Sequence, residues 1–275
     1  MVLGLIVSAL SLYTLRLAEG PVLVVPEGDG ASGASWGVIA GGLIVVLFSL
    51  TIHEAAHAIT AWWLGDDYAR SLGRVTLNPL AHIDLFGTII LPLLLVLAHG
   101  PVFGYARPVP VRVESLPRYR RAHILISIAG PGSNLMVAAV SLMLLLGAGC
   151  LVRLLAPQAV VEGFSSFDLA RPVHASGFML APLFAAFATV MKLSFFINVF
   201  LAMFNLIPIP PLDGSWVLEH LFPRTLGRLY ANIRPFGFLI FLAAIYFDLF
   251  EILFFPVLIV LYPGLGLVGH VTGFA

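Results

Sequence analysis

The chain has 275 residues, of which 60% are hydrophobic and 10% charged, and its formal net charge is zero. Soluble domains carry about 25% charged residues, so this composition, with a mean hydropathy of +1.03, predicts an integral membrane protein and excludes a soluble domain on a single anchor. No basic stripe with interleaved aromatics is present, which excludes nucleic acid as a partner, and Cys150, the one cysteine, allows neither an internal disulfide nor a thiolate metal site.

In chain order, residues 3–17 form the first apolar run. It is short for a bilayer that needs about 20 residues, but 22–25 extend it beyond Gly20-Pro21. The run lacks a basic start and its cleavage site is poor, so a retained N-terminal span over 1–25 is expected, with a cleaved leader as the alternative. A Gly-rich polar connector, 26–33, leads into the second predicted span, 36–64, where Trp62 and Trp63 fit an interfacial belt.

That second span contains His53-Glu54-Ala55-Ala56-His57. Residues four apart share a helix face, so His53 and His57 offer two imidazole nitrogens to one metal ion. Glu54 stands beside that ion, placed to take a proton from water. The pentapeptide also occurs by chance on soluble helices. In hydrocarbon, however, each ionisable side chain costs about 2.5–3.5 kcal/mol, and one bound cation accounts for all three.

Residues 65–121 interrupt the apolar pattern. The segments 74–77 and 109–113 predict two short edge strands. Between them, 83–99 is apolar, contains Pro92 and has arginine-bearing flanks, which predicts a re-entrant segment. A third span is expected over 122–155, broken at Gly130-Pro131-Gly132, then a polar loop over 153–177 and a fourth span over 180–207. The final span is expected over 236–262, with Asp248 and Glu251 inside it. The fold class is therefore an all-α polytopic membrane protein of five to six membrane segments. It carries a small β-strand insertion and a re-entrant segment near the active site, in a single membrane-embedded domain with its core at about 36–247.

Arginines orient this arrangement. Those at 70–121 and 224–234 fall on one side, whereas Arg153 and Arg171 fall on the other, so the first group is expected to be cytosolic. The fourth span then delivers Asp213 to the depth of the histidines. A catalytic zinc has three protein ligands and an open position, and Asp213 is the best third ligand. Pro208, Pro210 and Pro211 force the backbone off the helical path, and Gly214 permits close approach. Alone, Asp213 reads better as a solvated cap or turn residue than as a ligand. Paired with the histidine motif, it reads as a ligand.

These residues give the chain its resemblance to the site-2 protease family of intramembrane zinc metalloproteases. His53-Glu54-Ala55-Ala56-His57 matches the family's first motif. Asn205-Leu206-Ile207-Pro208-Ile209-Pro210-Pro211-Leu212-Asp213-Gly214 matches its second, N-x-x-P-x-P-x-L-D-G. Residues 73–84 and Gly130-Pro131-Gly132-Ser133-Asn134 also resemble segments of the compact bacterial members, which lack PDZ and CBS domains. The resemblance implies one zinc per chain held by His53, His57 and Asp213, with Glu54 as general base. It implies cleavage of a transmembrane substrate, an anti-sigma factor or another signalling protein, in the cell membrane with the site open to the cytosolic side. Asn205 aligns with the motif asparagine and is a candidate donor to the tetrahedral oxyanion; capping of the broken helix end is its other role. The two edge strands are candidates to bind an unwound substrate by strand addition.

Other polar residues are given lesser roles. His82 is expected to be structural, and His99, His123, His174, His220 and His270 interfacial. Asn134 is expected to bond the opened backbone at Gly130-Pro131-Gly132, with a contribution to the site as the other reading. Lys192 and Glu251 are expected to pair across helices or to snorkel. Two rival readings remain. Gly30-Ala31-Ser32-Gly33 matches the G-x-S-G around a rhomboid serine nucleophile, with His82 as base, though such tetrapeptides are common in linkers. A non-proteolytic zinc transporter or sensor would use the same ligands, though the chain shows no internal repeat.

Overall fold

A computed structural model describes residues 32–90, 94, 106–165, 172–247 and 249–274. The order is helix α1 (Ser32–Trp63), a single turn α2 (Tyr68–Ser71), α3 (Tyr119–Leu155), strands β1 (Val160–Glu162) and β2 (His174–Ser176), and α4 (Ala181–Asn205). Helices α5 (Asp213–Leu221), α6 (Pro223–Ile233), α7 (Gly237–Tyr246) and α8 (Leu249–Thr272) complete it. Among the described residues three helical segments are long and apolar enough to cross a membrane: Ala40–Trp63, Tyr119–Leu155 and Ala181–Asn205. The expected N-terminal span lies outside the described residues.

The most buried of the three is α4, with 72% of its most apolar stretch inside the bundle against 28% for α3, so α4 is the post against which the others stand. Its Phe196, Phe200 and Phe204 pack with Val45 and Val46 of α1 and Phe241 of α7. Lipid tails give helices no hydrophobic reason to associate, so close packing of small residues must do it. Ala55, Ala58 and Ala61 are at most 1% exposed along one face of α1. Gly264 of α8 lies so near α4 that a Cβ there would sit 2.6 Å from Phe195 Cζ. A further cluster, Ala61 with Val113, Leu116, Ala122 and Ile126, ties the end of α1 to the start of α3.

Several expectations are corrected. Residues 74–77 and 109–113 are not strands. Pro108 and Pro110 carry no N–H, and the N–H groups of Val109 and Arg112 are taken by the carboxylates of Glu54 and Asp66, so too few donors remain for a ladder. The antiparallel pair lies instead between α3 and α4, with Val161 opposite Ala175, inside the stretch expected to be a polar loop. Helix α3 runs unbroken through Pro131, because a proline removes one helical bond and neighbouring helices hold the rest in place. Over the apolar stretch 236–262 the structure describes two helices, α7 ending at Tyr246 and α8 running from Leu249 to Thr272. Of the expected re-entrant segment, Leu85–Ile90 is a wide helical turn whose Gly87 N–H donates to Asp84 Oδ1 at 2.7 Å. The rest, with His99, lies outside the described residues apart from Leu94, as do Asp248 and the side chain of Glu251.

Candidate metal centre

The site forms where α1, α3 and the start of α5 meet. One turn of α1 separates His53 from His57, and their Nε2 atoms lie 3.1 Å apart. After α4 ends, the chain turns through 206–212, with a cis bond between Pro210 and Pro211, and re-enters helix at Asp213. Gly214 is required at this re-entry. A Cβ there would collide with the Leu206 carbonyl oxygen and lie 2.7 Å from that of Ile207. The turn delivers Asp213 Oδ2 to 3.2 Å from His53 Nε2 and 3.4 Å from His57 Nε2. The three sequence-predicted ligands thus converge, with one ligand atom from each lying within 4.8 Å of the others.

The hydrogen bonds on the far side of each imidazole decide what this convergence is. His57 Nδ1 is 2.6 Å from the carbonyl oxygen of Ile126, one turn N-terminal to Gly130 on α3. A carbonyl only accepts, so Nδ1 carries the proton and Nε2 carries the lone pair. His53 Nδ1 is 2.6 Å from Asn134 Oδ1, which places its lone pair on Nε2 as well. Two nitrogen lone pairs and a carboxylate oxygen therefore point at one spot, and Asp213 Oδ2 is buried without a hydrogen-bond donor. Such a set repels itself unless a cation sits among the three atoms. Space for that ion is kept by Gly130, where a Cβ would stand 2.6 Å from His53 Nε2 and closer still to His57 Nε2. Nitrogen, nitrogen and carboxylate ligands fit zinc.

Glu54 is half-buried beside the cluster, and its Oε2 accepts the Val109 N–H at 3.1 Å. Among the described residues no hydrogen bond reaches its other oxygen. The segment carrying Val109 is anchored further by Arg107 N–H donating to the His82 carbonyl oxygen at 2.8 Å and Arg112 N–H to Asp66 Oδ2 at 2.6 Å. His82 Nε2 lies 3.0 Å from the Thr76 carbonyl oxygen, and its Nδ1 is buried without a hydrogen-bond partner among the described residues. Arg74, buried by the same loop and donating to the Ala81 carbonyl oxygen, has its guanidinium pKa lowered by burial and then by neighbouring Arg107.

The Asn205 amide donates to the Leu201 carbonyl oxygen at 2.9 Å, one turn back on α4. Ser32 begins α1, 21 residues before His53, or about 32 Å along the helix. It shares no site with the histidine motif. Lys192, fully buried, donates to the Gly163 carbonyl oxygen at 3.0 Å. His123 and His220, which no spacing connects, stand with ring centres 4.5 Å apart beside Trp216. The sequence reading left open a contribution of Asn134 to the site, where it partners His53; it missed Ile126 as a partner of His57 and Gly130 as the floor of the site. The Gly-Pro-Gly signal was visible, but it marks close approach rather than a break.

Apolar helices that close around two histidines, a carboxylate and an adjacent glutamate define a membrane-embedded zinc metalloprotease. Comparison with known proteins agrees. The profile of Peptidase family M50 matches residues 41–247, and the chain belongs to this family, the site-2 proteases. It is 36% identical over 220 residues to “Putative zinc metalloprotease YwhC” of Bacillus subtilis (strain 168), covering 78% of this chain and 84% of that one. It is 34% identical to “Putative zinc metalloprotease Rip2” of Mycolicibacterium smegmatis, over 74% of this chain and 64% of the relative. To the Mycobacterium tuberculosis (strain H37Rv) protein of the same name it is 35% identical, over 76% and 66%. No solved structure matches.

Proposed function

We propose that this metalloprotease hydrolyses peptide bonds within or next to the transmembrane segments of membrane proteins. The observation that carries the reading is the depth of the ligand cluster. His57 and His53 lie six and ten residues before Trp63, the end of the apolar span Ala40–Trp63, or about 9 and 15 Å inside it. A soluble loop does not reach that depth, whereas a locally unwound transmembrane segment does.

Zinc, when bound by His53, His57 and Asp213, supplies a Lewis acid that polarises the scissile carbonyl and acidifies water. Glu54 accepts the proton of the attacking water and returns it to the leaving amine. The Val109 N–H holds one of its oxygens, which leaves the other for that transfer. Asn205 donates to the oxyanion once substrate has displaced its bond to Leu201. The protein sits in the cell membrane as a multi-pass chain with the site towards the cytosol. The support is the arginine bias: Arg118, Arg120 and Arg121 cluster where α3 begins, the end tied to the close of α1.

The test is a panel of single-span proteins reconstituted with the wild-type chain in liposomes, with product ends read by mass spectrometry. Cuts within the apolar segment or within a few residues of it are expected, and Asn205→Ala should slow them without loss of zinc. Cuts confined to water-exposed regions, regardless of any apolar segment, would overturn the reading.

A further inference from the structure

Behind His53 runs a chain of buried amides with one consistent assignment of donors and acceptors. Asn134 of α3 and Asn198 of α4 are both fully buried. One side-chain atom of Asn198 lies 2.8 Å from the Ser194 carbonyl oxygen. A carbonyl cannot donate, so this atom is Nδ2, and the same atom is 2.8 Å from Ser49 Oγ. The other atom of that amide is therefore Oδ1. It faces Asn134 at 2.8 Å and must receive Asn134 Nδ2. The Ser49 carbonyl oxygen, 3.3 Å from the same Asn134 atom, is a longer second acceptor that fits this orientation. Only Oδ1 of Asn134 is then left for His53, so His53 Nδ1 must donate and Nε2 must hold the lone pair.

From this chain we infer that Asn134 and Asn198 are positioning residues that set the tautomer of His53 and hold its lone pair on the metal, although Asn198 touches no ligand. The two histidines are built differently. The tautomer of His57 is fixed directly by a backbone carbonyl. That of His53 is fixed by a relay through two amides, each of which could turn over if its own partner were lost. Water would ordinarily satisfy a turned amide, but both residues are sealed in the helix bundle. A turned Asn134 would place its NH₂ group against His53 and favour the wrong tautomer. The relay also joins α1, α3 and α4 through Ser49, Asn134, Asn198 and Ser194, so the packing of the spans and the chemistry of the ligand are set together. The inference rests on His53, His57 and Asp213 being the zinc ligands.

The test measures zinc transfer from the purified holoenzyme to a chromophoric chelator. Partners of metal-bound histidines change affinity by about 10–100-fold when removed. Asn134→Leu and Asn198→Leu should each speed zinc loss by about tenfold or more, and the double variant should be no worse than Asn134→Leu, because the two act in series. Asn134→Asp, whose oxygens accept in either orientation, should be closer to wild type than Asn134→Leu. The second measurement needs no variant: ¹⁵N spectra of histidine-labelled wild type should show His53 protonated at Nδ1. Wild-type zinc retention in Asn198→Leu, additive losses in the double variant, or His53 protonated at Nε2 would each overturn the inference. If His53→Ala kept full zinc, the ligand assignment itself would fail, which is a separate outcome.

Discussion

Replacing Glu54 with glutamine should lower peptide hydrolysis by about 10²–10⁴-fold, the usual contribution of a general base, while zinc stays at its wild-type stoichiometry. Glutamine keeps the shape of the side chain and an oxygen that can accept the Val109 N–H, so the loop 106–112 retains its anchor. It loses the capacity to take up a proton. The metal is held by His53, His57 and Asp213, none of which is altered. Turnover of a transmembrane substrate and zinc content, measured on the same preparation, check both halves. Full hydrolysis by the variant would remove Glu54 from the mechanism and favour a zinc-binding protein that transports or senses.

The second large effect is expected at Gly130. A single methyl group there would point into the cluster, 2.6 Å from His53 Nε2 and His57 Cε1 and nearer still to His57 Nε2. Real Cβ atoms do not approach so closely, and α3 cannot retreat, because Ile126 and Asn134 on the same helix hold the other edges of both imidazoles. Gly130→Ala should therefore lose most of its zinc and its activity, although alanine is the better helix former by about 1 kcal/mol. Gly132→Ala, two residues along the same helix, is the control. A Cβ there meets nothing within 4 Å, so zinc content should match wild type. Equal zinc in both variants would mean that the space below the histidines is not the metal position.

Much of the site was legible in the sequence because its parts obey local rules. Two histidines one helical turn apart must share a face, and three prolines before an Asp-Gly pair must end a helix. What was not legible depends on contacts that local patterns do not encode. Asn134 meets His53 from 81 positions away, and His57 is oriented by a main-chain carbonyl, which no residue type announces. The valines at 109–113 have the alternation of a strand, but strands need partners. Here the donors of Val109 and Arg112 go to Glu54 and Asp66, side chains that the interruption between the spans brings close. The Gly-Pro-Gly stretch was read as a break because each residue alone weakens a helix, whereas in a packed bundle the missing side chains are what lets α3 approach the ligands. The convergence of α1 and α5 was anticipated from the arginine bias and the direction of the spans, and the geometry of Asp213 agrees with it.

The central claim is that two motifs about 160 residues apart in this chain build one zinc site. The most direct measurement is zinc content per chain in detergent-purified wild type, His53→Ala and Asp213→Ala. One zinc per wild-type chain, sharply reduced in both variants, is the result this structure predicts. Zinc retained at the wild-type level in Asp213→Ala would contradict it, because the carboxylate would then stand beside the histidines without holding the metal.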